Sequence, residues 1–288
     1  MRSKMAIMAV AGMLISVLVS TSGAAAAAGR TVYYVSLGDS AAAGVQPPGW
    51  NALGYADQLS FRMRARLPQL RLVKLGCPGE TTESLLSGAD SPCSYPSGSQ
   101  LEEAVGVLRA HAGSVAFITI NVGVNDVLDA CLDDAAGALD PACTRGLLPA
   151  VQANLAAIVR TLGDAAPGVP IAGMSYWDPF LGFWVTGPEG EARARTSNQA
   201  MQVLNAGLVS TYRGEGALVA DVAGPGFFNI ADFSHRVASR WGPVPVNVAN
   251  ACTLTWSCAR PPLGPDPHPN TRGYRVIADA FAAVLPGS

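Results

Sequence analysis

Short apolar runs alternate with longer stretches of helical spacing along most of the chain. Residues 31–37 (TVYYVSL) are β-branched and aromatic and stop at Gly38, the pattern of a buried strand. Residues 70–75, 115–122 (VAFITINV), 169–174 and 217–222 repeat that pattern. Between them, apolar residues recur every three or four positions, as one face of a helix requires. Tyr55, Leu59, Met63 and Leu67 mark residues 54–67; Leu101, Val105 and Leu108 mark 101–111. Val151, Leu155, Ile158 and Leu162 mark 147–162, and helices are also expected at 191–212 and 272–285. Five strands alternating with helices predict an α/β fold: a three-layer α/β/α sandwich on a five-stranded, mostly parallel sheet of flavodoxin-like type. Residues 224–267 carry many Gly and Pro and read as one long loop, a length that usually serves function.

The N-terminus breaks this rhythm. Arg2 and Lys4 precede an apolar run to about Val19, followed by small residues that include Ala24 to Ala28. Positive, apolar, then small with A-x-A is the order of a secretory signal peptide. The expected division is a signal at residues 1–28 and one domain at 29–288. No later segment reads as a membrane helix, so stable membrane insertion is not expected once the signal is removed. The 288-residue chain has a formal net charge of −2, and −4 without Arg2 and Lys4. Its basic residues are scattered, which argues against nucleic-acid binding.

Six cysteines follow the signal: Cys77, Cys93, Cys131, Cys143, Cys252 and Cys258. An even count in an exported chain points to disulfides. Fifteen pairings are possible, and the grouping favours neighbours: 77 with 93, 131 with 143, 252 with 258. No C-x-x-C is present and none of the three histidines lies at ligand spacing, so neither a metal nor another cofactor is expected.

Four polar blocks stand at or after strand ends. The first strand runs into Gly38-Asp39-Ser40, with Gly44 four residues on; the second into Cys77-Pro78-Gly79-Glu80-Thr81-Thr82. The third ends in Gly123-Val124-Asn125-Asp126, and Pro265-Asp266-Pro267-His268-Pro269-Asn270 lies near the C-terminus. In open α/β sheets the ligand crevice forms at the carboxyl ends of the strands. A serine there, opening a helix, is well placed for attack, and free N–H groups at a helix start suit a developing oxyanion. Each block alone has a plainer reading: Ser40 as a helix cap, Gly79 as a turn glycine, Asn125 as a cap. His111 reads as a helix-end histidine, and His235 as a candidate for the cleft rim.

Taken in order, the four blocks resemble the SGNH hydrolases, also called GDSL esterases and lipases. The resemblance spans nearly the whole chain after the signal. It is nearest the secreted actinobacterial branch, with six cysteines and a segment like Tyr176 to Phe180 (YWDPF). It implies that Ser40 is the nucleophile and His268 the general base. It also implies an oxyanion hole made by the N–H of Ser40, the N–H of Gly79 and the side-chain amide of Asn125. The family's Asp-x-x-His spacing fails here, because position 265 is Pro. Asp266 is the expected acid, with the Pro265 carbonyl as the alternative partner of Nδ1. Asp39 and Asp126 are expected to bond loop amides around the site.

The function implied is a secreted, extracellular serine esterase or lipase acting on a small-molecule or lipid ester as a monomer. A carbohydrate acetylesterase, an acyltransferase and a non-catalytic surface protein on the same scaffold remain as alternatives. Trp177, Phe180, Phe183 and Trp184 follow the fourth strand and are candidates for the wall of an acyl pocket, or else for simple packing.

Overall fold

The computed structural model describes residues 30–50, 53–133 and 137–286. The signal expected at residues 1–28 lies outside them. Five strands form one sheet: β1 (Val32–Gly38), β2 (Leu70–Lys74), β3 (Val115–Asn121), β4 (Ile171–Met174) and β5 (Leu218–Ala220). Their order is β2-β1-β3-β4-β5 and every pairing is parallel, so the sheet is wholly rather than mostly parallel. β1 and β3 are central and buried on both faces, which explains their unbroken apolar character.

Helices cover both faces. On one side α2 (Tyr55–Met63) packs against α9 (Thr271–Val284). On the other lie α4 (Gln100–Ala110), α6 (Pro141–Ala165) and α7 (Pro188–Gly214), with α6 and α7 in close contact. The layers are therefore α/β/α. Helix α6 begins six residues before the apolar repeat suggests, because Asp140 caps it by accepting from Ala142 N and Pro141 supplies a preset first φ. By length and hydropathy α6 would suit a bilayer, contrary to the sequence reading. Here it lies against α3 (Thr82–Ser87), α4 and α7.

Residues 224–267 are not one loop. They contain a hairpin (Arg236–Ser239 with Gly242–Pro245), helix α8 (Val246–Leu254) and a short strand, Thr255–Trp256. That short strand pairs antiparallel with β6 (Asp266–Pro269). The Pro and Gly content hid these elements. Their stability comes from docking, since α8 packs on α9 and on the 3₁₀ helix Pro179–Thr186. Three disulfides join Cys77 to Cys93, Cys131 to Cys143 and Cys252 to Cys258, as the grouping suggested. Each closes a short loop, and by chain entropy each contributes roughly 2–3 kcal/mol.

Asp178 starts the 3₁₀ helix from full burial. Its carboxylate accepts from Phe180 N at 2.9 Å and Asn198 Nδ2 at 2.8 Å. Burial dominates and pushes its pKa from 3.8 up to about 7. The native chain thus keeps a proton that the unfolded chain releases between about pH 4 and 7. The associated stability is complete below that window and lost as pH rises through it. Melting temperatures of wild type and Asp178→Asn across this range provide the check. Wild type is expected to lose more of its melting temperature between pH 4 and 7 than the variant does.

Candidate active site

The sheet order reverses between β1 and β3, so the connections leaving these strands diverge to opposite faces. Open α/β sheets place their ligand crevice at the carboxyl ends of strands related in this way. Ser40 follows β1 by two residues, and Asn125 follows β3 by four, in α5 (Val124–Cys131). Gly38 is indispensable at this junction: its φ is +131° and an added Cβ would lie 2.0 Å from Asn121 O. The close approach lets Asp39 N donate to Asn121 O at 3.1 Å. Asp39 then caps α1 (Ser40–Ala43), accepting from Ala41 N at 2.8 Å. Ser40 is half-buried at the first helical position, and its hydroxyl has no hydrogen-bond partner among the described residues.

A buried polar chain underlies the serine. Asp39 accepts from Asn121 Nδ2 and from Tyr176 Oη, each at 2.6 Å. Tyr55 Oη donates to Asn121 Oδ1 at 2.8 Å. Burial pushes the Asp39 pKa up to about 7 against these donors. The same burial pushes the Tyr176 phenol well above its ordinary value, so it remains a donor.

The loop after β2 is tied to the same point. Cys77 N donates to Gly38 O at 2.9 Å, and Cys77 is held by its disulfide. Gly79, exposed, adopts φ +84°, which a side chain would strain. Asn125 Nδ2 donates to Glu80 O at 2.9 Å, bringing this amide against the Gly79 turn with one N–H to spare. Asp126 accepts from Thr82 N at 2.9 Å and from Thr82 Oγ1, and burial raises its pKa. Asp39 thus bonds the start of α1, the end of β3 and the Tyr176 hydroxyl, and Asp126 bonds the start of α3, where loop amides were expected.

On the opposite side, β6 carries His268 and packs against α1. Asp266 Oδ1 lies 2.9 Å from His268 Nδ1 and also accepts from His268 N at 2.9 Å. The acceptor at Nδ1 is thus Asp266 and not the Pro265 carbonyl. A two-residue spacing suffices because one oxygen serves both the backbone and the ring of His268. No hydrogen bond joins Ser40 to His268 in this structure. Asp266 also lines a cavity of about 400 Å³ between residues 45–49 and 262–266.

The aromatic segment divides. Trp177 and Trp184 are buried. Trp177 Nε1 donates to Pro267 O at 3.0 Å, so it braces the histidine strand. Trp184 packs against Phe233 and under Arg195. Phe180 and Phe183 are half-buried, with ring centroids 6.0 Å apart. His111 stacks on Tyr33 at 3.7 Å. His235 is 80% exposed and pairs with Asp232 Oδ2 at 2.7 Å. Among the described residues no three His, Cys, Asp or Glu groups converge as a metal site.

Gln100 is the residue that sequence reasoning missed. Fully buried, it accepts from Gly38 N at 2.6 Å and donates to Gly38 O at 3.0 Å and to Glu80 Oε2 at 2.9 Å. One amide thus links the strand end before Ser40 to the turn holding Gly79. No motif surrounds it; its only signal was a polar residue beside the apolar face of α4. Gln100→Leu leaves the Gly38 N–H and the Glu80 carboxylate without this partner. A loss of about 1–3 kcal/mol is expected, to be read from urea titration of variant and wild type.

The profile of the GDSL-like lipase/acylhydrolase family matches residues 36–276. The chain is similar in structure to an extracellular lipase from Streptomyces rimosus, at 17% identity and TM-score 0.53, over 88% of this chain and 100% of that one. It is similar to phospholipase A1 from Streptomyces albidoflavus NA297, at 16% identity and TM-score 0.52, with the same coverage. The lipase Lip_vut3 from a goat rumen metagenome matches at 14% identity and TM-score 0.52, over 88% of this chain and 97% of that one. At these identities the likeness concerns the fold. No curated protein matches the sequence.

Proposed function

Because the chain belongs to the GDSL-like lipase/acylhydrolase family, we propose that it is a secreted serine esterase or lipase with Ser40 as nucleophile, His268 as base and Asp266 as acid. The observation that carries this reading is the 2.9 Å contact between Asp266 and His268 Nδ1, on a strand packed against the Ser40 helix. That contact fixes the tautomer with the proton on Nδ1 and leaves Nε2 to accept one.

Ser40 Oγ attacks the ester carbonyl carbon while His268 Nε2 takes its proton. The carbonyl oxygen becomes an oxyanion, held by the N–H groups of Ser40 and Gly79 and the free N–H of Asn125. These donors are fixed beforehand by Gln100, the Cys77–Cys93 bridge and the Glu80 carbonyl, so little reorganisation opposes the reaction. Collapse breaks the bond to the alcohol oxygen, which leaves with the proton from His268. Water then attacks the acyl-serine by the same route in reverse roles, releasing the acid and restoring Ser40. Asp266 stabilises the imidazolium at both stages.

With Trp177 and Trp184 enclosed, Phe180 and Phe183 are the aromatic pair left to meet an acyl chain. Secretion is supported by the N-terminal pattern and by three disulfides, which suit an oxidising compartment. The reading is tested with p-nitrophenyl esters of increasing acyl length. Ser40→Ala is expected to abolish hydrolysis across the series with folding intact; more than a few per cent of residual turnover would remove Ser40 from its role.

Asp266→Asn separates the acid from a simple neighbour. Loss of the carboxylate is expected to lower kcat by roughly 10³–10⁴. It is also expected to shift the acidic limb of the pH–rate profile, where the histidine base becomes protonated, to lower pH, since the imidazolium loses its counter-charge. A loss under about tenfold with an unmoved profile would leave a Ser40–His268 dyad.

A further inference from the structure

The flank built by α2, α9 and β2 differs in character from the rest of the molecule. A cavity of about 770 Å³ opens between these elements, and a second hollow of about 510 Å³ adjoins it, sharing Asp57, Arg64 and Leu72. Neither is lined by Ser40 or His268. Phe61 stands at the rim, 79% exposed, the most exposed of the large apolar side chains described. Leu53, 49% exposed, lines the same cavity. The core face of α2 is complete without Phe61, since Tyr55, Leu59 and Met63 already fill it.

The charges around these hollows are biased. Arg62, Arg64, Arg71, Lys74 and Arg275 face only Asp57 and Asp279. Both acids are already engaged, Asp279 by Arg62 and Asp57 by Lys74 at 2.8 Å. Five cations against two carboxylates leave this flank at +3, on a chain whose formal net charge is −2. Cations on an edge strand discourage strand pairing, and β2 is an edge strand. That accounts for Arg71 and Lys74. It accounts neither for Arg275, on α9, nor for an exposed phenylalanine between the arginines.

We infer that this flank is a docking surface for an anionic phospholipid bilayer. Guanidinium groups pair with phosphate oxygens in a planar fork, while an aromatic ring settles at the boundary of headgroups and acyl chains. Arg64, Arg71 and Arg275 provide the first element, Phe61 and Leu53 the second. A soluble polyanion satisfies only the cations and leaves the apolar pair in water. Binding is peripheral and reversible, since no described segment here inserts across the lipid. It also brings the site near its interface. Thr271 lines the larger cavity three residues after His268, and Gln58 Nε2 ties Thr271 O to Leu53 O at 3.1 and 2.7 Å. Only this last benefit rests on the esterase reading; the docking itself does not involve Ser40.

The purified protein is sedimented with vesicles of phosphatidylcholine alone and with vesicles containing about one-third phosphatidylglycerol, at low and high salt. At least tenfold tighter binding to the anionic vesicles is expected, weakened by salt. Arg71→Glu with Arg275→Glu should reduce it at least tenfold, and Phe61→Ser severalfold. Hydrolysis of a water-soluble p-nitrophenyl ester should be unchanged in these variants. Melting curves identify any variant that fails to fold, and in that event Phe61→Ser and Arg275→Gln, each alone, decide. Binding to neither vesicle, equal binding to both, or binding insensitive to the substitutions overturns the inference. Equally tight binding to poly(glutamate) with no effect of Phe61→Ser also overturns it, leaving an anion-binding surface in place of a lipid one. Because vesicle binding is read without turnover, an inactive Ser40 would not alter the outcome.

Discussion

The junction of β1 and β3 is the contact on which the site's geometry rests. Gly38 lies so close to Asn121 that no side chain fits between the strands, and Asp39 then meets Asn121 through backbone and side chain together. Ser40 comes one residue later. Any residue larger than glycine at position 38 pushes the strands apart and moves the hydroxyl with them. The arrangement buries a carboxylate, and its raised pKa records the desolvation involved. Three donors, Ala41 N, Asn121 Nδ2 and Tyr176 Oη, offset much of that cost and make the position unique.

Around this junction the proposed catalytic groups stand on loops, helix starts and the short strand β6, yet those segments are restrained from outside. Gln100 and the Cys77–Cys93 bridge hold the Gly79 turn from two directions. The Cys252–Cys258 bridge closes the chain just before β6. Trp177 holds β6 itself through Pro267 O. Side chains that bind nothing in the crevice thus set the spacing of those that line it. For the proposed oxyanion donors this restraint matters, because a donor that must first move contributes less to a charge forming beside it.

The molecule also separates two kinds of surface. The groups around Ser40, His268 and Asn125 stand at the carboxyl end of the sheet. The α2–α9 flank is cationic, with apolar side chains that the core does not need. They meet at the start of α9, where Asn270 caps the helix immediately after β6. A single turn therefore joins the histidine strand to the flank.

What the sequence determined by itself is local and periodic. The strands show in runs such as VAFITINV, the main helices in apolar residues three and four apart, and Ser40, Gly79, Asn125 and His268 in four blocks at strand ends. Periodicity reports which face is buried, and a short motif reports groups held by one turn of chain, so both survive without tertiary information. Asp266 was legible beside His268, but which group met Nδ1 was not, because that depends on the path of the Pro265–Pro267 backbone. Tertiary structure alone decided the rest. Gln100 lies 62 residues from Gly38, and its role exists only once α4 packs beneath β1. Trp177 and Trp184 have the composition of a pocket wall, yet packing turned them inward. Helix α8 carries too weak a pattern to announce itself and is held by its contacts with α9 and the 3₁₀ helix. In each case the deciding term is the burial of a particular side chain against a distant partner, which no window along the sequence contains.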